Sequence, residues 1–168
     1  MSAPPKDAIL LVGSSSFTKW TDVQDYFPGY TIINRGFGGS TLKDLLRYAY
    51  DVVLPYHPKQ VLIYCGENDL AQKGTSSEDV VLRFKTLYGI IRQNLPNTYI
   101  HFISMKPSPS RQHLLPLMEK ANKEIESFLK QQKRASFINV YQAMLDAAGK
   151  PKPGIFLEDQ LHMNASGY

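Results

Sequence analysis

Four short clusters carry side chains able to do chemistry: Gly13-Ser14-Ser15-Ser16, Asn34-Arg35-Gly36-Phe37-Gly38-Gly39-Ser40, Gly66-Glu67-Asn68-Asp69 and Asp159-Gln160-Leu161-His162. A serine hydroxyl is a weak nucleophile and needs a base within hydrogen-bond reach. Histidine, with a reference pKa of about 6.5, is neutral near neutral pH and can take that proton. An aspartate fixes the tautomer of the ring and stabilises the imidazolium that forms. The Asp-x-x-His spacing puts both side chains on one turn. Attack on a carbonyl would place negative charge on oxygen, which calls for preorganised N–H donors. A backbone N–H at Ser15, one at Gly39 and the Asn68 side-chain amide are candidates, and glycines at 38 and 39 let the backbone come close. Taken singly, each cluster has a plainer reading. Gly-Ser-Ser is common in turns, Gly38-Gly39 suits a tight loop, Asn68 and Asp69 suit a helix cap, and a lone histidine suits the surface.

The elements around these clusters alternate. Short apolar runs at Ala8 to Val12, Tyr30 to Asn34, Gln60 to Cys65, Tyr99 to Met105 and Ser136 to Val140 have the composition of buried parallel strands. Helical periodicity occupies Thr41 to Leu54, with Thr41 as N-cap and Asp44 in the first turn. It returns from Glu78 to Leu95, where Ser76 and Asp79 form a capping-box pattern and Val80, Phe84, Leu87, Tyr88, Ile91 and Leu95 share a face. A third helix is expected over Leu115 to Gln132 and a shorter one over Tyr141 to Ala148, ended by Gly149. Strand–helix alternation predicts a parallel sheet with helices on both faces. Ligands of such sheets bind at the carboxyl ends of the strands, and the first three clusters directly follow strands.

In this order and at these places, the clusters resemble the SGNH (GDSL-like) hydrolase family over nearly the whole chain. Gly66-Glu67-Asn68-Asp69 and Asp159-Gln160-Leu161-His162 are the specific matches. The resemblance implies Ser15 as nucleophile, Asp159 and His162 as its triad partners, and Ser15, Gly39 and Asn68 as the oxyanion hole. Ser14 stands where the family's name motif has aspartate. Ser14 and Ser16 therefore compete for the nucleophile role, and the Gly-x-Ser register favours Ser15. The implied fold is a single-domain α/β chain over 1–168: a three-layer α/β/α sandwich with a five-stranded parallel sheet of flavodoxin-like order. The implied reaction is ester hydrolysis through an acyl-serine, with no cofactor and no metal. A short-chain ester is expected, such as an acetylated carbohydrate, on a polar rim formed by Lys106, Ser108, Ser110, Arg111 and Gln112. Glu67 and Arg111 are candidate substrate contacts; the alternatives are a structural role for Glu67 and a loop-to-loop tether for Arg111. A lysophospholipase or platelet-activating-factor-acetylhydrolase-like lipid esterase, an acyltransferase and a catalytically silent binding module are the alternative functions. Family members continue with a helix where Tyr168 stands, so a C-terminal helix beyond this sequence is an open expectation.

Composition narrows the rest. With 43% hydrophobic and 20% charged residues, the 168-residue chain can bury a core. The net charge of +4 is scattered, densest at Lys130, Lys133 and Arg134. No nucleic-acid-binding signature accompanies it, so a nucleic-acid partner is not expected. His57, His101, His113 and His162 lack metal-ligand spacing. No Gly-x-Ser-x-Gly elbow, P-loop or dinucleotide fingerprint occurs. One cysteine, Cys65, excludes an internal disulfide and reads as a core residue; Phe17 and Trp20 read as packing near the first helix. No apolar run is long enough to span a membrane. No signal peptide opens the sequence at Met1-Ser2-Ala3-Pro4-Pro5-Lys6, and cytoplasmic and exported locations both stay open.

Overall fold

The computed structural model describes residues 3–168. Five strands, β1 (Ile9–Gly13), β2 (Ile32–Gly36), β3 (Gln60–Tyr64), β4 (Tyr99–Ile103) and β5 (Ala135–Ile138), pair in parallel. Their order is β2-β1-β3-β4-β5, the flavodoxin-like arrangement.

Alternation along each strand sorts side chains to two faces. Leu10 and Val12, Val61 and Ile63, and Ile100 and Phe102 enter one core, all fully buried. Three long helices cover that face: α3 (Leu42–Val52), α5 (Ser77–Asn94) and α6 (Leu115–Lys130). Val80, Phe84, Leu87, Tyr88 and Ile91 of α5 are buried there at helical spacing. The predicted caps are present in full. Thr41 with Asp44, and Ser76 with Asp79, each form a reciprocal capping box that supplies partners for N–H groups the helix leaves unpaired.

The second face is built differently. Leu11 and Tyr64 pack there with Phe17 and Val23. These last two come from the four-residue helices α1 (Ser15–Thr18) and α2 (Val23–Tyr26). A groove of about 710 Å³ runs along this face, lined among others by Ile9, Leu62, Ile103, Ile138 and Tyr168. The two helical layers are therefore unequal among the described residues. No helix there is long and apolar enough to cross a membrane.

One helix expectation is corrected. Tyr141 to Ala148 is a single 3-10 turn (Gln142–Met144), after which Leu145 is extended and bridges to Pro151. The cause is Asp146, whose Oδ1 accepts the backbone N–H groups of Ala148 and Lys150 and so offers the chain a turn in place of a helix. Asn164 to Tyr168 form a turn in which the Asn164 carbonyl accepts the backbone N–H groups of Gly167 and Tyr168.

Candidate active site

The first cluster sits where β1 ends. Gly13 has φ +143°, and a Cβ there would lie 1.9 Å from the Tyr64 carbonyl oxygen. Only glycine lets β1 and β3 stay this close while the chain turns. Ser14 then donates its N–H to that carbonyl at 3.0 Å, and α1 begins at Ser15. The turn half-exposes Ser15 while Ser14 and Ser16 are buried.

The last cluster reaches Ser15 from 147 residues away. His162 Nε2 is 3.1 Å from Ser15 Oγ, and His162 Nδ1 is 2.5 Å from Asp159 Oδ2. Asp159 Oδ1 accepts the backbone N–H groups of Leu161 and His162, at 3.0 and 2.9 Å. The Asp-x-x-His turn thus holds its own carboxylate still. Although exposed, Asp159 is held well below the usual carboxylate range, first by the His162 ring and then by the backbone N–H groups. An ionised Asp159 selects the tautomer with a proton on Nδ1, which leaves Nε2 as acceptor for the serine proton.

The second and third clusters meet beside Ser15's helix. Gly39 is exposed with φ +75°, a left-handed turn that favours glycine. Ser40 follows it and is buried. Asn68 lies in the short helix α4 (Glu67–Ala71) and donates from Nδ2 to the Ser40 carbonyl at 3.0 Å. Asp69, fully buried, accepts the Leu42 N–H at 2.8 Å and Arg83 Nη1 at 2.7 Å. Burial pushes its carboxyl up, against those two bonds. The Gly39 loop is thereby pinned on its C-terminal side through Ser40 and Leu42. Among the described residues, the backbone N–H groups of Ser15 and Gly39 have no hydrogen-bond partner, as oxyanion donors require.

The sequence matches the model of the GDSL-like Lipase/Acylhydrolase family over residues 11–168. The chain belongs to this family. No curated protein matches the sequence. Among solved structures, a GDSL-like lipase from Bacteroides thetaiotaomicron superposes with a TM-score of 0.82 at 21% identity, covering 100% of this chain and 86% of that one. A catalytic mutant of an acetylxylan esterase from Geobacillus stearothermophilus superposes with a TM-score of 0.75 at 14% identity, covering 99% and 91%. At these identities the likeness is one of fold, and it agrees with the sheet order expected from sequence.

Two expectations for this GDSL-like acylhydrolase are corrected. Glu67 is only 4% exposed and turns inward as an ion pair with Lys106 Nζ at 3.4 Å. It also accepts the hydroxyl of Tyr64, whose own pKa is raised well above the usual phenol value by burial and then by Glu67. Its carboxylate is thus engaged inward by Lys106 and Tyr64, the arrangement that the structural alternative describes. The polar rim is also smaller than expected. Lys106 and Ser108 are buried, which leaves Ser110, Arg111 and Gln112 on the surface. Lys106 Nζ also reaches Ser16 Oγ at 3.3 Å, so Ser16 is engaged beneath α1.

Arg111 Nη2 donates to Asn68 Oδ1 at 2.9 Å, a contact between two loops of the kind the tether alternative describes. The sequence signal for it was its place just after β4. The Lys106–Glu67 pair had no comparable signal. Cys65, Phe17 and Trp20 pack as expected, with Trp20 stacked on Tyr168 at 5.3 Å. Among the described residues, no three His, Cys, Asp or Glu side chains are grouped as metal ligands.

Proposed function

We propose that the protein is a serine esterase that hydrolyses short-chain carboxylic esters through an acyl-Ser15 intermediate. The observation that carries the reading is the unbroken hydrogen-bonded line from Ser15 Oγ through His162 to Asp159. Ser15 Oγ attacks the ester carbonyl carbon and its proton passes to His162 Nε2. The Asp159 carboxylate stabilises the imidazolium. The carbonyl π pair becomes an oxyanion, met by the N–H groups of Ser15 and Gly39 and by the Asn68 amide. As the oxyanion collapses, the alkoxide leaves with the proton from His162. Water then adds to the acyl-serine with His162 as base, and as that second oxyanion collapses the bond to Ser15 Oγ breaks, Oγ takes the proton back from His162, and the carboxylic acid is released.

The acyl group is argued from what surrounds the nucleophile. A long acyl chain gains about 0.8 kcal/mol per buried CH₂, but only along an apolar groove that opens onto the reacting carbon. The large apolar groove lies on the sheet face behind α1. Ser16 and Phe17 line it, whereas Ser15, Gly39, Asn68, Asp159 and His162 do not. An acetyl group on a polar alcohol, as in an acylated carbohydrate, suits this arrangement. The test is kcat/KM for p-nitrophenyl esters from two to twelve acyl carbons. The reading expects the maximum at two to four carbons; a maximum at eight or more would overturn it in favour of a lipid ester.

A further inference from the structure

The loop between β4 and α6 touches both halves of the site. Its 3-10 turn (Pro109–Leu114) opens with Ser108 as N-cap. Ser110 donates its N–H to the Gln160 carbonyl at 3.1 Å, inside the Asp159–His162 turn. Its neighbour Arg111 donates to Asn68 Oδ1 at 2.9 Å. Two adjacent residues therefore link the turn bearing the base to the amide bearing the oxyanion donor.

The hydrogen-bond inventory of Asn68 makes the second link consequential. Ser40 presents a carbonyl, which can only accept, and Arg111 presents a guanidinium, which can only donate. Nδ2 must face Ser40 and Oδ1 must face Arg111. One Nδ2 hydrogen is used on Ser40, and the other is left to donate elsewhere. Without Arg111 the amide would keep one anchor in place of two and could rotate about its χ2 torsion, which is broad for asparagine. A cationic donor on Oδ1 also draws electron density from the amide and strengthens its remaining N–H as a donor. Arg111 is half-buried, and its backbone N–H is held by the Ser108 carbonyl at 3.1 Å.

We infer that Arg111 is a positioning residue for the oxyanion hole, acting on the reaction through Asn68. This rests on the esterase reading above. Losing a group that aligns a reacting neighbour costs roughly 10- to 100-fold in rate. Arg111→Ala is expected to lower kcat by about that factor with KM changed less than about threefold. Arg111→Lys, which keeps one donor, should recover part of it.

The deciding experiment is a double-mutant cycle on a p-nitrophenyl acetate assay, with Arg111→Ala, Asn68→Ala and the double variant, each checked for an unchanged thermal unfolding midpoint. The inference expects Arg111→Ala to cost kcat only when Asn68 is present, so that the double variant matches Asn68→Ala alone. Equal losses in both backgrounds would overturn it, because a purely structural loss adds independently. A rise in KM at constant kcat would overturn it in favour of a substrate contact. If Asn68→Ala itself leaves kcat unchanged, the oxyanion role of Asn68 fails together with the inference. If Asn68→Ala is impaired and Arg111→Ala is not, only the inference fails.

Discussion

At the scale of single residues, the site divides into groups that react and groups that hold them. In the proposed mechanism Ser15 gives its proton to His162, Asp159 stabilises the imidazolium, and Asn68 donates to the oxyanion. Removing one such donor costs about 10²–10³ in kcat. Asn68→Ala is therefore expected to lower kcat by roughly that factor while KM barely moves, in steady-state kinetics on an acetate ester. A pure KM effect would place Asn68 on ground-state substrate instead. The pH profile follows from Asp159. Its carboxyl is held below the usual range by His162, so it is protonated only in stronger acid than a free carboxylate needs. A general base must be unprotonated to accept the serine proton, so kcat/KM should be low in acid and rise with pH through one ionisation to a plateau. A flat profile from pH 5 to 8 in folded protein would contradict the general-base role.

At the scale of elements, each cluster is delivered by a device that can be named. Gly13 lets β1 turn against β3, Asp69 ties α4 to the start of α3, and the Asp159–His162 turn bonds to itself. Beneath α1 lies the buried Lys106–Glu67 pair, with side chains 4% and 5% exposed. Breaking a buried pair from one side leaves an uncompensated charge and costs about 3–5 kcal/mol, whereas replacing both partners is often nearly neutral. Lys106→Met should lower stability by about that amount in urea unfolding, and adding Glu67→Gln should recover most of it. Equal destabilisation by the single and double variants would show that the pair is not the unit of stability. This part of the molecule was hidden in the sequence. A lysine after a strand and a glutamate beside an asparagine look like rim residues, because periodicity reports burial along one element and not pairing between residues 39 apart. The helix expected over Tyr141 to Ala148 failed for a local reason, since Asp146 captured the N–H groups that a helix would have used. The strands and long helices were legible because apolar runs and helical spacing are imposed by the sheet and the face each element must bury. The capping boxes were legible because side chain and backbone lie three residues apart.

At the scale of the whole molecule, the parallel sheet brings chain segments from residue 15 to residue 162 to one edge. Strand order β2-β1-β3-β4-β5 places the ends of β1, β2 and β3 side by side, so the loops that carry Ser15, Gly39 and Asn68 leave the same edge of the sheet. The loops after β4 and beyond β5 then close over them with Arg111 and with the Asp159–His162 turn. The order of clusters at strand ends was legible in the sequence, and the family resemblance it carried is borne out by the match over residues 11–168. The central claim is that Ser15, among three consecutive serines, is the activated nucleophile. A fluorophosphonate probe tests it most directly, because it bonds covalently only to a serine whose proton a base can take. Intact-mass and peptide mapping should find one adduct on Ser15 in the native protein and in Ser14→Ala, and none in Ser15→Ala or His162→Ala. Undiminished labelling of folded Ser15→Ala, or an adduct mapped to Ser14 or Ser16, would contradict the account.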